Sequence, residues 1–162
     1  MDKTLQTEMR EYAWKYFSLH SDQRLKTFNF YVVLSTVLAG GMLTILKESG
    51  NQLLASPLAF GVAFISFIFW KLDVRNKQLI KHAEDALKYL EGNSGFSEEN
   101  GSPHVLTLFK HEEFKTNGLK RFPHALLFYS HWSYSTCFNA VFLVFGSMGF
   151  GSGLLLVILG NL

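Results

Sequence analysis

Three long apolar segments without a charged residue constrain the fold of this chain more than any other feature of its sequence. They are 28–46, 53–70 and 136–159, and none of them contains Asp, Glu, Lys, Arg, His or Gln. At about 1.5 Å of rise per residue, each segment would form a helix roughly 27 to 36 Å long, close to the ~30 Å hydrocarbon thickness of a bilayer. Helices in a soluble bundle normally carry polar residues on an outward face at every turn. The sequence therefore predicts an all-α integral membrane protein with three transmembrane helices.

The basic residues are distributed unevenly around these segments. Five of the 15 Lys and Arg precede the first segment, nine lie between the second and the third, and only Lys47 lies between the first and the second. Since Lys and Arg are enriched in cytoplasmic loops, the N-terminus and residues 71–124 are predicted to be cytoplasmic. The formal net charge of +2 gives no strong general attraction to nucleic acid.

The apolar pattern continues beyond the membrane segments at helical spacing. After Trp70 the apolar residues recur every three or four positions with charges between them, and residues 1–27 show the same amphipathic pattern. No Gly or Pro interrupts the chain after Trp70, so the second helix is predicted to continue over about 53–91. A short helix is predicted at about 103–116, and the third long helix is predicted to begin at Pro123. The predicted architecture has two long helices that extend from the membrane into a cytoplasmic helical bundle.

Small residues recur on one side of the third apolar segment. Gly149 and Gly153 form a GxxxG pair, and Gly146 lies one turn before Gly149. Such residues allow two helix backbones to approach closely in a membrane. The sequence leaves open whether the partner helix belongs to the same chain or to a second subunit.

A stripe of small and hydrogen-bonding residues follows one side of the first apolar segment. It contains Asn29, Thr36, Gly40 and Thr44. One interpretation is that the hydroxyl groups bond back to their own helix while the glycine admits a neighbour. The other is that the stripe lines a water-filled pore, which one chain with three spans cannot enclose. The pore hypothesis therefore requires a homo-oligomer, for which we predict a tetramer.

Cations and aromatic rings alternate in the segment 108–132. Lys and Arg beside stackable rings are typical of sites for nucleotides and single-stranded nucleic acid, because phosphates contact the charges and bases stack on the rings. The same cations would also suit contact with lipid headgroups. The candidate ligand-binding residues are Lys110, Phe114, Lys115, Lys120 and Arg121.

No catalytic or metal site is predicted. The six histidines have no spacing typical of metal ligands, and all 13 acidic residues lie outside the three apolar segments. The chain is therefore expected to be neither an enzyme nor a cofactor protein. A membrane enzyme that acts through Cys137 or a histidine, such as His131, ranks last among the hypotheses.

Two stretches and one arrangement resemble a known group of proteins. They are EYAWKYFSLHSDQRLKTFNFYVVLSTVLAGG, FIFWKLDVRNKQLIKHAEDALKYLE, and the position of the last apolar segment after a basic and aromatic one. In these features the chain resembles small multi-pass membrane effectors of bacterial anti-phage defence. It is most similar to the membrane effector of Hailong-type systems and more loosely to SLATT-type effectors, which are encoded beside nucleotide-signal synthases.

The resemblance implies a function. It implies an oligomeric channel in the bacterial inner membrane that depolarises or permeabilises the cell during infection, as in abortive infection. It also implies control by a nucleotide or single-stranded DNA ligand, made by a companion synthase and bound on the cytoplasmic side. The alternative is a non-conducting membrane scaffold that recruits a soluble partner through its cytoplasmic helices.

Overall fold

The structure is a computed structural model, and it describes residues 3–92, 108–109 and 133–161. Within these residues every regular element is an α-helix. Helix α1 spans Lys3–Glu48, α2 spans Gln52–Gly92 and α3 spans Tyr134–Gly160. The prediction of an all-helical chain is thus confirmed for the described residues. The short helix predicted at 103–116 lies outside them except for Leu108 and Phe109, which are helical, and so does the predicted start of the third helix.

Each of the three helices is long and apolar enough to cross a membrane, by length and composition. Helices α1 and α2 contain 46 and 41 residues and run without a break through the change from apolar to charged sequence. The uninterrupted helix expected over about 53–91 is therefore observed. Many large apolar side chains on these helices are exposed, including Val37, Phe64 and Leu143. Such a surface is unusual for a soluble monomer and suits contact with lipid.

A tight turn joins α1 to α2. Gly50 has a φ of 61°, which lies in the left-handed region. Glycine adopts this conformation without steric penalty because it has no Cβ. The Asn51 side chain then accepts a hydrogen bond from the Leu54 amide at 3.1 Å and caps the start of α2. Ser133 caps α3 in the same way, because its hydroxyl accepts from the Thr136 amide. These caps fix where the two helices begin.

The chain divides into two compact units. We call 1–22 with 77–131 the amphipathic unit, and 23–76 with 132–162 the apolar unit. In the amphipathic unit, Ala13, Leu87 and Leu90 form a small buried core with Phe17 and Phe109 packed against it.

The apolar unit has two buried clusters. The first is aromatic and is centred on Tyr31, Phe138 and Phe142, which bring α1 and α3 together. The second consists of Ala55, Ala59 and Leu156, where α2 and α3 meet. Both clusters face inward from the three apolar segments, so the core of this unit is built from the residues that also define the candidate membrane spans.

Candidate functional site

The stripe predicted on α1 lies on an exposed face. Asn29, Thr36, Gly40 and Thr44 are all exposed, whereas Tyr31 on the same helix is completely buried. At about 100° per residue, the stripe is centred roughly 180° away from the side of α1 that packs on α2 and α3. Helix α1 therefore turns these polar and small side chains away from its own chain.

The hydroxyl groups of the stripe bond to their own helix. Thr36 Oγ1 donates to the Val32 carbonyl at 2.8 Å, and Thr44 Oγ1 donates to the Gly40 carbonyl at 3.0 Å. These are the hydrogen bonds expected from the first of the two interpretations of the stripe. At Gly40 an added Cβ would meet no atom of the described residues within 4 Å, so neither α2 nor α3 packs against this glycine. The threonine hydroxyls of the stripe thus have hydrogen-bond partners within α1, and the surface of the stripe is exposed.

The three glycines of α3 that the sequence singles out, Gly146, Gly149 and Gly153, face α2. A Cβ built on Gly149 would lie 2.8 Å from the Ala63 amide nitrogen and 2.9 Å from the Ala59 carbonyl oxygen. One built on Gly153 would lie 3.0 Å from the Phe60 ring, and one on Gly146 would lie 3.3 Å from Ser66 Cβ. Of the two partners left open by the sequence, the structure therefore places these glycines against a helix of the same chain.

This close approach gives a prediction for Gly149. We expect Gly149→Ala to lower the free energy of unfolding by about 1 to 3 kcal/mol, because its Cβ would collide with backbone atoms of α2 that cannot move independently. Gly151→Ala is the matched control, since a Cβ there would meet nothing within 4 Å. Thermal unfolding of both variants, followed by circular dichroism in detergent, tests this difference. Equal melting temperatures would contradict the close packing.

A buried ion pair joins the three helices of the apolar unit. Arg24 Nε donates to Asp73 Oδ1 at 2.7 Å, and Arg24 Nη2 donates to Asp73 Oδ2 at 3.0 Å and to Ser135 Oγ at 3.0 Å. The two charged side chains are only 12% and 6% exposed. The guanidinium carbon also lies 5.0 Å from the centre of the Phe138 ring. A bidentate pair with an added hydroxyl and ring contact holds α1, α2 and α3 in one fixed arrangement.

Aromatic packing adjoins this ion pair. Phe28 stacks on Phe138 with ring centres 3.9 Å apart, and Tyr31 contacts Phe142 at 4.7 Å. The Tyr31 hydroxyl shares a hydrogen bond of 2.9 Å with Ser66 Oγ, which links α1 to α2 inside the core. The ion pair and the rings together join all three helices at this end of the apolar unit.

The sequence-based predictions missed the ion pair, although a signal for it was present. In the sequence, Arg24 is one of the five cations before the first apolar segment, and Asp73 is one of the charges that follow Trp70. Arg24 lies 24 residues before the end of α1 at Glu48, and Asp73 lies 21 residues after the start of α2 at Gln52. The difference of three residues is less than one helical turn. Counting back from the short turn along an antiparallel hairpin would therefore have brought these opposite charges together.

The amphipathic unit contains an open apolar groove of about 470 Å³ between α1 and α2. Tyr12, Tyr16, Tyr89 and His82 surround it, and alanines form part of its lining. The candidate ligand residues of the sequence, which are Lys110, Phe114, Lys115, Lys120 and Arg121, lie outside the described residues. Within the described residues no group of three His, Cys, Asp or Glu could hold a metal ion.

Comparison with known proteins gives a relative of nearly the same extent. CD-NTase-associated protein 19 of Escherichia coli is 39% identical to this chain over 140 residues, which cover 86% of this chain and 84% of that protein. No family model matches the chain, and no solved structure matches it. The aligned range is longer than either unit, so the alignment includes residues of both. The chain belongs to the family of CD-NTase-associated protein 19.

Proposed function

We propose that this chain is an anti-phage effector that acts as a homo-oligomeric channel in the bacterial inner membrane and is gated by a nucleotide or oligonucleotide on its cytoplasmic side. The relative's name associates it with a CD-NTase. This association supports an anti-phage effector role for the present chain and a functional link to a nucleotide synthase. The three helices that are long and apolar enough to cross a membrane support action at the bilayer.

The exposed stripe of α1 is the observation that carries the channel proposal. The residues Asn29, Thr36, Gly40 and Thr44 point away from α2 and α3, so they take no part in packing against the described part of their own chain. Three or more copies arranged around an axis would bring these stripes together and leave α2 and α3 toward the lipid. Water and ions would then pass along an amide, hydroxyls and a glycine, with the exposed side chains of Val33 and Leu43 on the same face of α1.

Continuous helices offer a route for gating. Helices α1 and α2 each contribute residues to both units without a break. A ligand that binds the amphipathic unit more tightly in one conformation shifts the equilibrium toward that conformation by its difference in affinity. Moving a gate from mostly closed to mostly open requires roughly a 10⁴-fold difference. The Arg24–Asp73 pair would resist any opening that separates α1 from α2, so opening would have to move these helices together.

A scaffold function is the second candidate, and the amphipathic unit favours it. Tyr12 and Tyr89 line the groove between α1 and α2 yet remain 66% and 68% exposed. Exposed rings beside an apolar groove are typical of surfaces that bind another protein. In this function the membrane helices would only anchor the chain, and the groove would recruit a soluble partner.

Ion flux through liposomes tests the two candidates. The purified full chain is reconstituted, and efflux of potassium is recorded before and after addition and removal of the product of the associated nucleotide synthase. A channel releases potassium in a manner that depends on that product, whereas a scaffold leaves the liposomes sealed under every condition. Sizing of the same sample in detergent shows whether an oligomer is present, so that liposomes that stay sealed because assembly failed are not taken as support for the scaffold.

A further inference from the structure

A second groove, of about 580 Å³, lies between α2 and α3 on the apolar unit. Its walls are mainly aromatic, with Phe67 and Trp70 on α2 and Phe150 on α3. At the bottom of the groove, Gly146 of α3 lies against Ser66 of α2. Because neither residue has a large side chain, the space between the aromatic walls is not filled. The groove lies away from the exposed stripe of α1, so it plays no part in the candidate pore.

The length of the groove matches one leaflet of a bilayer. Along α3 it extends from Asn139 to Phe150, which is about 16 Å at 1.5 Å per residue. Half of the ~30 Å hydrocarbon thickness is about 15 Å. A single acyl chain from one leaflet would therefore fill the groove from end to end.

Polar groups occur at one end of the groove. Asn139 is exposed, and its side chain makes no hydrogen bond to any residue in the described part of the chain. Because α2 and α3 are antiparallel, Trp70 lies at the same end, with its ring 37% exposed. The Lys71 ammonium lies 4.8 Å from the centre of the Trp70 ring and 5.8 Å from that of Phe67. An amide, an indole and an ammonium group thus stand where the apolar groove ends.

We propose that this groove binds one anionic phospholipid of the cytoplasmic leaflet, with an acyl chain along the groove and the headgroup phosphate near Lys71. The amide of Asn139 and the indole N–H of Trp70 are available as hydrogen-bond donors for phosphate or ester oxygens, and aromatic residues of this kind are enriched at membrane interfaces. The inference rests on the proposed insertion of the chain in the membrane, and it adds a lipid ligand to the proposed function.

Charge complementarity favours a lipid over a second copy of α1 as the occupant. The exposed face of α1 between 28 and 46 contains no acidic residue that could pair with Lys71. An anionic headgroup supplies that charge, and an acyl chain supplies the apolar surface that Phe67 and Phe150 face. A lipid therefore complements both the positive charge at one end of the groove and its apolar walls, whereas α1 complements only the apolar walls.

Lipid binding to the full chain in detergent tests this inference. Native mass spectrometry and thermal unfolding are measured with phosphatidylglycerol and with phosphatidylcholine of the same acyl chains. We expect the wild type to retain phosphatidylglycerol and to melt at a higher temperature with it than with phosphatidylcholine. Lys71→Gln should lower the affinity for phosphatidylglycerol about fivefold, the share of one cation near an anionic headgroup. Asn139→Leu should lower retention of both lipids.

The matched control is Lys47→Gln, which also removes one lysine charge but at the C-terminal end of α1. This variant should bind phosphatidylglycerol as tightly as the wild type does. Equal affinity in Lys71→Gln and Lys47→Gln would overturn the inference. The inference would also be overturned if Asn139→Leu formed a smaller oligomer than the wild type while it bound the same amount of lipid. That result would show that a second copy of the chain, and not a lipid, occupies the groove. Lipid retention and ion flux are separate readouts: flux without retained lipid overturns only this inference, and retained lipid without flux overturns only the channel.

Discussion

Gly40→Leu is expected to abolish potassium flux through reconstituted liposomes while leaving the helical fold intact. An added Cβ at Gly40 meets no atom within 4 Å in the part of the chain that the structure describes, and Leu is a better helix former than Gly, so the variant should fold as well as the wild type. In the proposed oligomer, each copy would place a leucine side chain toward the axis. An apolar ring of this kind narrows the pore and favours a dry, non-conducting state.

The control for this variant is Gly151→Leu on α3. Gly151 is also exposed, and an added Cβ there also meets no atom within 4 Å, so the two substitutions are matched in size and in helix propensity. Residue 151 would face lipid in the channel, and the control should conduct as the wild type does. If both variants conduct equally and both assemble, the pore does not follow the α1 stripe. If the wild type does not conduct either, the scaffold function becomes the better account.

Asp73→Ala is expected to lower the free energy of unfolding by about 3 to 5 kcal/mol. The substitution leaves the Arg24 guanidinium buried beside Phe138 without its carboxylate, and an uncompensated buried charge costs far more than the lost contact alone. Thermal unfolding in detergent, followed by circular dichroism, measures the effect.

Two further variants make this prediction specific. Asp85→Ala removes the same side chain from an ion pair on the same helix, but Asp85 is 58% exposed, so its loss should cost about 1 kcal/mol or less. Replacing both partners, with Arg24→Met and Asp73→Leu, should recover most of the lost stability, since no charge is then left unpaired. If Asp73→Ala and Asp85→Ala melted at the same temperature, the pair would not be buried in the folded protein.

Local patterns in the sequence were sufficient to predict the helices. The uncharged apolar segments predicted the three long helices, and the absence of Gly and Pro directly after Trp70 predicted that α2 is continuous. Both signals depend only on neighbouring residues. The same kind of pattern identified the exposed stripe of α1, since residues three, four and seven apart lie on one face of a helix. Contacts between distant segments were harder to predict.

The Arg24–Asp73 pair shows why. Its two members are 49 residues apart in the sequence, and their meeting depends on how the turn at Gly50 sets the register of α1 against α2. Periodicity along one helix carries no information about that register. The partner of Gly149 was left open for the same reason: small residues indicate that some helix approaches, and only the folded chain shows that it is α2.

The buried ion pair also affects how much net charge the chain can move in an electric field. Arg24 and Asp73 carry opposite unit charges 2.7 Å apart at their closest atoms, so the pair has no net charge. A movement of the helices that keeps the pair together therefore transfers no charge across the membrane potential, which acts with about 2.3 kcal/mol per unit charge per 100 mV. The three apolar segments contribute no charge of their own. In such a channel, neither the pair nor the apolar segments would therefore contribute gating charge, and any voltage dependence of opening would have to come from charges beside these segments, such as Lys47 and Lys71.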